Sequence, residues 1–337
     1  MKELFEEVVS SEAFNNFVEG AVVMDNSTHS NASCPRQLFY SWVLKRVPAG
    51  IRTPLVFGDG AHRGLELYYK TGKVLTDEQI TGIVDQVREP LERAGDAKRS
   101  PDRLHELLTG YMADVLNQGA ERLQPITVDG PDGPELLVEK SFRTCLGSPI
   151  HTTFGGTLEL YWEGKIDLIA KDIPSGKLTL VDHKTTSIMG EKFLDDKVRS
   201  NQFLGYLHAM RHVEEMFGEP LTQVCINTIA ARTRGFEYKK FFFSVRPQVL
   251  ETWSGQVVRS LHYNPVFELF HWIQEGTINS DNIDQFVWNN IYQDRRHCCP
   301  KFGKCPFYDV CEAAPTVQYK YLTSQLYEIS NWSPHGE

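Results

Sequence analysis

The segment GKIDLIAKDIPSGKLTLVDHKTTS, residues 164–187, decides the fold. Its centre, Ile173-Pro174-Ser175-Gly176, is a turn signal: proline presets one turn dihedral and glycine accepts the positive φ that turns often need. The runs on either side, Lys165–Lys171 and Lys177–His183, read as two strands joined into a hairpin. Asp167 and Asp182 lie equally far from the midpoint of the turn, so a tight hairpin sets them opposite one another, give or take a residue of register. Lys184, two residues beyond Asp182, falls on the same face because strand side chains alternate. Opposed like charges destabilise a sheet. Two carboxylates ~4 Å apart repel by roughly 4 kcal/mol at an effective dielectric near 20. A divalent cation removes that repulsion and turns the pair into a hard-oxygen site suited to magnesium or manganese.

Working outward, Leu136–Cys145 and Gly156–Trp162 read as strands before the hairpin, and 222–231 and 237–245 as strands after it. A helix at about 201–217 separates the two groups, and Pro247 opens another. The first third is helical. Residues 2–19 form one helix; Ser33 caps a second, with Pro35 in its first turn, running through Leu44. A third begins near Gly58 and carries His62, Leu65 and Tyr69 at helical spacing, and stretches at 76–94 and 101–122 follow. The C-terminal stretch reads as irregular and aromatic. Helices followed by strands with helices between them imply an α/β or α+β core preceded by a helical insertion.

Composition sets outer bounds. The 337 residues are 41% apolar and 23% charged, as in a globular chain. The acidic start MKELFEEVVSSEAF lacks a signal-peptide pattern, and no run of 18 apolar residues occurs, so a cytoplasmic protein with no membrane partner is expected. A net charge of −9 argues against nucleic acid. Local basic clusters offset that argument: Lys192–Arg199, Arg232–Lys240 and Arg295–Lys304. Each, by itself, is most simply a solvated face.

A metal held by the hairpin carboxylates can polarise a scissile phosphate and activate a water, and a neighbouring lysine can stabilise the developing charge. Glu139 sits in the apolar strand LLVEKSF, where a bare carboxylate is costly. His62 can supply a nitrogen ligand from its helix. Taken singly each has a bland reading: an Asp-x-Lys is usually a surface ion pair, a helical histidine is usually structural, and Glu139 can pair with a basic neighbour.

Five pieces in order carry more than any one. FGDGAHRGLELYY, LLVEKSF, GKIDLI, VDHKTTS and NQFLGYLHAM resemble the successive motifs of the PD-(D/E)XK nuclease superfamily, in particular its RecB-like exonuclease branch, which includes AddB nuclease domains and CRISPR-associated RecB-like exonucleases. With Cys34 and Cys311 counted among the matching positions, the motifs span residues 34 to 311. The resemblance implies a restriction-endonuclease-like core, a mixed central sheet flanked by helices, with a helical insertion and a cysteine-stapled C-terminal segment. It implies a metal held by His62, Asp167, Asp182 and the His183 carbonyl. Catalytic positions would be Lys184, Asp182, Asp167, Glu139, Gln202 and Tyr206. The His183 imidazole stands where an aromatic is more usual and receives no role. DNA, as single strands or duplex ends, is the implied substrate, digested from an end, with a helicase or recombination protein as partner. Domain limits follow: 1–57 for N-terminal helices, 58–129 for the histidine-bearing helical segment, 130–245 for the nuclease core, and 246–337 for the C-terminal segment.

Seven cysteines remain to be placed. Cys145 and Cys225, in apolar strand-like runs, read as small core residues. Cys34 stands alone near the start; Cys298, Cys299, Cys305 and Cys311 fall together in CCPKFGKCPFYDVC. Structural zinc favours C-x-x-C-like pairs, absent here, yet four thiolates suit zinc and iron–sulfur alike. The resemblance implies a 4Fe-4S cluster on Cys34, Cys299, Cys305 and Cys311, with Cys298 the alternative to Cys299. Two rival readings are a non-cutting subunit that binds DNA ends and a zinc-stapled structural protein with an incidental acidic hairpin.

Overall fold

The computed structural model describes residues 2–118, 121–130, 133–198, 200–232, 234–294 and 305–334. These form two compact units, one of residues 1–50, 143–164 and 251–337, the other of 51–142 and 165–250.

The second unit holds the helices α1 (Thr53–Thr71), α2 (Asp77–Ala94) and α3 (Pro101–Asn117). It also holds strand β1 (Leu123–Pro125), the first residues of β2 (Val138–His151) and the last of β3 (Thr157–Asp172). Strand β4 (Leu178–Thr186), helix α4 (Asn201–Ala209), and strands β5 (Gln223–Ala231) and β6 (Phe236–Ser244) complete the set used below. Pairing is mixed: β3–β4 antiparallel, β4–β5 parallel, β5–β6 antiparallel, with β1 antiparallel on the end of β3. Strand alternation gives the sheet two covered faces. Tyr238 stacks edge-on against Tyr111 of α3, and Phe243, on the other face, meets Phe203 of α4. This is the mixed sheet flanked by helices that the family resemblance implies.

Helix α1 buries Phe57, Ala61, Leu65, Tyr68 and Tyr69. A Cβ at Gly60 or Gly64 would collide with Leu104 or Leu108 of α3, so two glycines a turn apart let the helices approach closely. Ser100 caps α3, and Thr76 with Gln79 forms a capping box on α2. The hairpin turn closes as read: Gly176 has φ +71°, and its N–H binds the Asp172 carbonyl. At this closed end Asp172 is 1% exposed, and Arg122 Nε and Nη2 donate to its carboxylate at 2.6 and 3.1 Å. Ser175 and Gln223 donate to it as well, and the Arg122 guanidinium lies 3.8 Å from the Phe242 ring centroid.

In the first unit, Ala21–Met24 pairs parallel with Glu159–Trp162 of β3. Several local expectations need correction. Residues 2–19 form two helices, Lys2–Val9 and Glu12–Val18, because Ser11 caps the second and interrupts the first. Cys34, not Ser33, occupies the cap before Pro35; Ser33 donates instead to the Ser30 carbonyl. The α-helical part ends at Leu38 and continues as a π-helical turn, Phe39–Val43. Helix α1 starts at Thr53 rather than Gly58, since Pro54 suits its first turn. The segments around 156–162 and 165–171 are one continuous strand: Trp162 and Ile166 are both buried on one alternation, so Gly164 lies within the strand and makes no turn. Residues 201–217 divide into α4 and a helix Arg211–Phe217. The aromatic C-terminal stretch is helical over Pro265–Gln274, Ile283–Asn290 and Pro315–Leu322. Cys225 is buried, but Cys145 is exposed.

Candidate active site

The ladder between β3 and β4 is recorded to Leu168↔Val181. Asp167 and Asp182 are the next pair along, so both carboxylates come where the ladder ends. Asp167 Oδ2 accepts the His183 backbone N–H at 2.6 Å, and its Oδ1 faces His62 Nδ1 at 3.5 Å. His62 is brought there by α1, and its Nδ1 lies 3.9 Å from Glu139 Oε1. One ligand atom each from His62, Glu139 and Asp167 lies within 4.8 Å of the others.

Lys184 Nζ donates to Asp182 Oδ1 at 2.8 Å. Gln202 of α4 donates to the same oxygen at 3.2 Å and to the Tyr206 hydroxyl at 3.0 Å. Gln202 and Tyr206 share one face because residues four apart on a helix are neighbours. Asp182 is 1% exposed, and its Oδ2 is a buried acceptor with no hydrogen-bond partner. Such an oxygen is costly unless something else binds it.

The electrostatics follow from this crowding. Burial opposes charge on His62, but Asp167 and Glu139 outweigh it and push the imidazole up to about 10. Burial also resists ionisation of Asp167, yet His62, His183 and Lys184 hold its carboxyl below the ordinary range. Asp182 goes the other way: burial raises it, and Asp167 adds to the rise against Lys184. Burial takes the His183 imidazole down to about 3, so it is neutral. Two carboxylates, Glu139 and Asp167, and the His62 ring form an O/N donor set of the kind that suits a divalent cation, and Asp182 is not among the residues whose atoms this group brings within 4.8 Å of one another.

Glu139 reaches the site through a backbone in the left-handed region, φ +53°, a conformation that costs about 1 kcal/mol or more for a residue with a side chain. Its Oε2 pairs with Lys165 Nζ at 2.6 Å. Lys165 was not among the expected site residues, although the signal was present: it stands two residues before Asp167 as Lys184 stands two after Asp182. All six expected catalytic positions, with His62 and His183, therefore lie in the second unit.

In the first unit Cys34 and Cys305 are buried and Cys311 is half-buried. The Asp294 N–H donates to Cys34 Sγ at 3.4 Å, and Cys305 Sγ donates to Gln37 Oε1 at 3.8 Å, one helical turn from Cys34. Arg36, buried beside them, donates to the carbonyls of Ile291 and Trp288. Burial raises the Tyr40 phenol, and Cys311 and Cys34 raise it further. Cys298 and Cys299 lie outside the described residues, as does the basic stretch 295–304.

On the mixed sheet a hairpin thus ends in one buried carboxylate, Asp182, one half-buried carboxylate, Asp167, and a lysine, with a helical histidine facing Asp167. The profile of the PD-(D/E)XK nuclease superfamily matches residues 27–312, and the chain belongs to that superfamily. Among solved structures it is similar to a protein from Eubacterium rectale that carries the provisional name of exonuclease, at 13% identity, covering 80% of this chain and 86% of that one, with a TM-score of 0.39. It is also similar to the protein SSO0001, at 14% identity, covering 77% and 85%, with a TM-score of 0.22. No curated protein sequence matches the chain. Among the described residues no helix is long and apolar enough to cross a membrane.

Proposed function

We propose that the protein is a magnesium- or manganese-dependent DNA exonuclease of the RecB-like branch, acting on single strands or duplex ends. The observation that carries this reading is the convergence of His62, Glu139 and Asp167 ligand atoms, next along the hairpin from the buried Asp182, whose Oδ1 takes the Lys184 ammonium and whose Oδ2 is unpartnered. His62, Asp167, Asp182 and the His183 carbonyl would hold the metal, with Glu139 beside them. When bound, it would polarise the scissile phosphate and supply an ionisable water. Lys184 keeps an ammonium at the Asp182 oxygen and stabilises charge that develops on the phosphate. Gln202 fixes the Asp182 rotamer and ties it to Tyr206 on the same helix. Lys165 neutralises Glu139 and so limits the repulsion among three carboxylates.

The cysteines support a second element of the reading, a structural 4Fe-4S cluster on Cys34, Cys299, Cys305 and Cys311. Its support is the approach of Cys305 to the helical turn that follows Cys34, and the proximity of both Cys34 and Cys311 to Tyr40. A cluster would join segments some 265 residues apart and restrict the unfolded chain accordingly. Anaerobic protein should contain iron and sulfide and lose both on Cys305→Ser; stoichiometric zinc would overturn this element alone.

The function is tested by digestion of 5′- and 3′-labelled single- and double-stranded DNA with magnesium, with manganese and with chelator. Metal-dependent release of nucleotides from ends is expected. DNA-end binding without cleavage in any metal would favour a non-cutting subunit that positions DNA ends for a partner.

A further inference from the structure

His183 separates the two catalytic positions Asp182 and Lys184, and its imidazole points to the opposite face of the sheet. There it is 2% exposed, and its ring stacks on Tyr69 of α1, with centroids 5.4 Å apart and planes 11° from parallel. The His62 ring packs edge-on against it at 5.9 Å. His62 and Tyr69 are seven residues apart, two turns of one helix, so α1 brackets the imidazole with both side chains. Register makes Asn227 the β5 neighbour of His183. The Asn227 amide nitrogen lies 2.9 Å from His183 Nδ1 and 2.9 Å from the Tyr111 hydroxyl, which is 3.0 Å from the Tyr69 hydroxyl. Asn227 is 1% exposed and Tyr111 fully buried.

An amide nitrogen carries two N–H donors, and it meets two acceptors here. A donor at Nδ1 requires that Nδ1 be unprotonated, which leaves the ring proton on Nε2. An ordinary aromatic at 183 would fill the same space against Tyr69, but it would leave one Asn227 donor buried and unmade. The imidazole and the asparagine are therefore a matched pair, and the backbone N–H of this same His183 is the one bound to Asp167 Oδ2.

We propose that Asn227 is a positioning residue for phosphodiester cleavage: it locks the His183 ring as the Nε2–H tautomer between Tyr69 and His62, and so fixes the peptide that orients Asp167. The proposal rests on the nuclease reading for its catalytic consequence and not for its structural premise. Supporting groups of this kind, behind the atoms that hold a metal, typically alter affinity or rate by about 10- to 100-fold when removed.

The first measurement uses wild-type protein in chelator, with 15N-labelled histidine rings. The His183 resonances should report a protonated Nε2 and a bare Nδ1; a protonated Nδ1 overturns the proposal. The second measures single-turnover cleavage, DNA binding and manganese binding in Asn227→Leu, His183→Phe and the double variant. Asn227→Leu should slow cleavage about 10- to 100-fold with unchanged DNA affinity. In the His183→Phe background the same substitution should cause no further loss, because an apolar pair leaves no buried donor unpaired. Equal losses in both backgrounds would make Asn227 a residue that acts independently of His183 and overturn the proposal. Should Asn227→Leu alone not fold, the double variant set against His183→Phe and the wild-type spectrum still decide. A wild-type protein that cleaves no DNA defeats the nuclease reading; one that cleaves, with Asn227→Leu equally fast, defeats only this inference.

Discussion

At the closed end of the β3–β4 hairpin, Asp172 is 1% exposed and meets a two-pronged guanidinium, a hydroxyl and an amide. At the open end Asp182 is equally buried, yet one of its oxygens has no partner and its second carboxylate neighbour repels it. The same two strands thus bury a carboxylate at each end, one compensated and one left short. Burial of charge does not distinguish the two ends of this hairpin; incomplete compensation does. The compensated end belongs to the fold. The incomplete end has room, in charge and in hydrogen bonding, for something the chain does not itself provide.

The largest expected effect breaks the open end. Asp182→Ala should lower metal-dependent cleavage by at least about 1000-fold, the upper range for loss of one group at a developing charge. Manganese binding measured by titration should fall with it, while the fold persists. An Asp182→Ala protein that cleaves normally would remove the open end from the chemistry. Next in size, Lys184→Ala should slow single-turnover cleavage by about 100-fold or more. It should leave DNA affinity and the salt dependence of binding close to wild type, which a lysine that merely binds phosphate would not do.

The closed end should respond in stability and not in catalysis. Removing one partner of a buried ion pair costs about 3–5 kcal/mol. The Arg122 side chain is 39% exposed, and Ser175 and Gln223 remain on Asp172, so Arg122→Met should cost less, about 2–3 kcal/mol by urea unfolding. Its manganese affinity should match wild type. A variant with normal stability and impaired metal binding would invert the comparison.

The hairpin was legible because each feature it needs is local. A proline-glycine turn and period-two alternation place Asp167, Asp182 and Lys184 without any tertiary information. Gln202 and Tyr206 were legible for the same reason, as a four-residue helical pair. The continuity of β3 was missed, because a glycine in a strand looks like a break until burial on both sides of it is known. Cys145 was misread as core, since alternation sets two faces but not which of them is covered. Asn227 and Tyr111 could not be read at all. Their relation to His183 depends on which strand lies beside β4 and which helix lies over it, and neither is written in a window of a dozen residues. Arg122, the partner that separates the closed end from the open one, is 50 residues from Asp172 and is equally silent.

The smallest expected effect sharpens the comparison most, because it has opposite signs at the two ends. Arg122, Ser175 and Gln223 outweigh burial and hold the Asp172 carboxyl below its ordinary value of 3.8. Its ionised form therefore favours folding; that contribution is full above the unfolded value and is lost as the pH falls through the folded one. Burial and Asp167 hold Asp182 above 3.8, so its ionisation opposes folding. That penalty is absent in acid, grows as the pH rises through the folded value and is full above it. Asparagine has nearly the shape of a protonated aspartate. In chelator at neutral pH, Asp172→Asn should be less stable than wild type. Asp182→Asn should be more stable, by about 1 kcal/mol, the usual size of a single-site change, because Lys184 still has Asp167 nearby. Both differences should shrink as the pH is lowered through the range where the wild-type carboxylates protonate. Saturating manganese should reverse the order of Asp182→Asn and wild type, since a ligand that binds only the wild-type fold stabilises only that protein. Unfolding curves over this pH range, with and without manganese, would expose the error if Asp182→Asn were the weaker protein in chelator: the open end would then be compensated after all, and the contrast between the two ends of the hairpin would vanish.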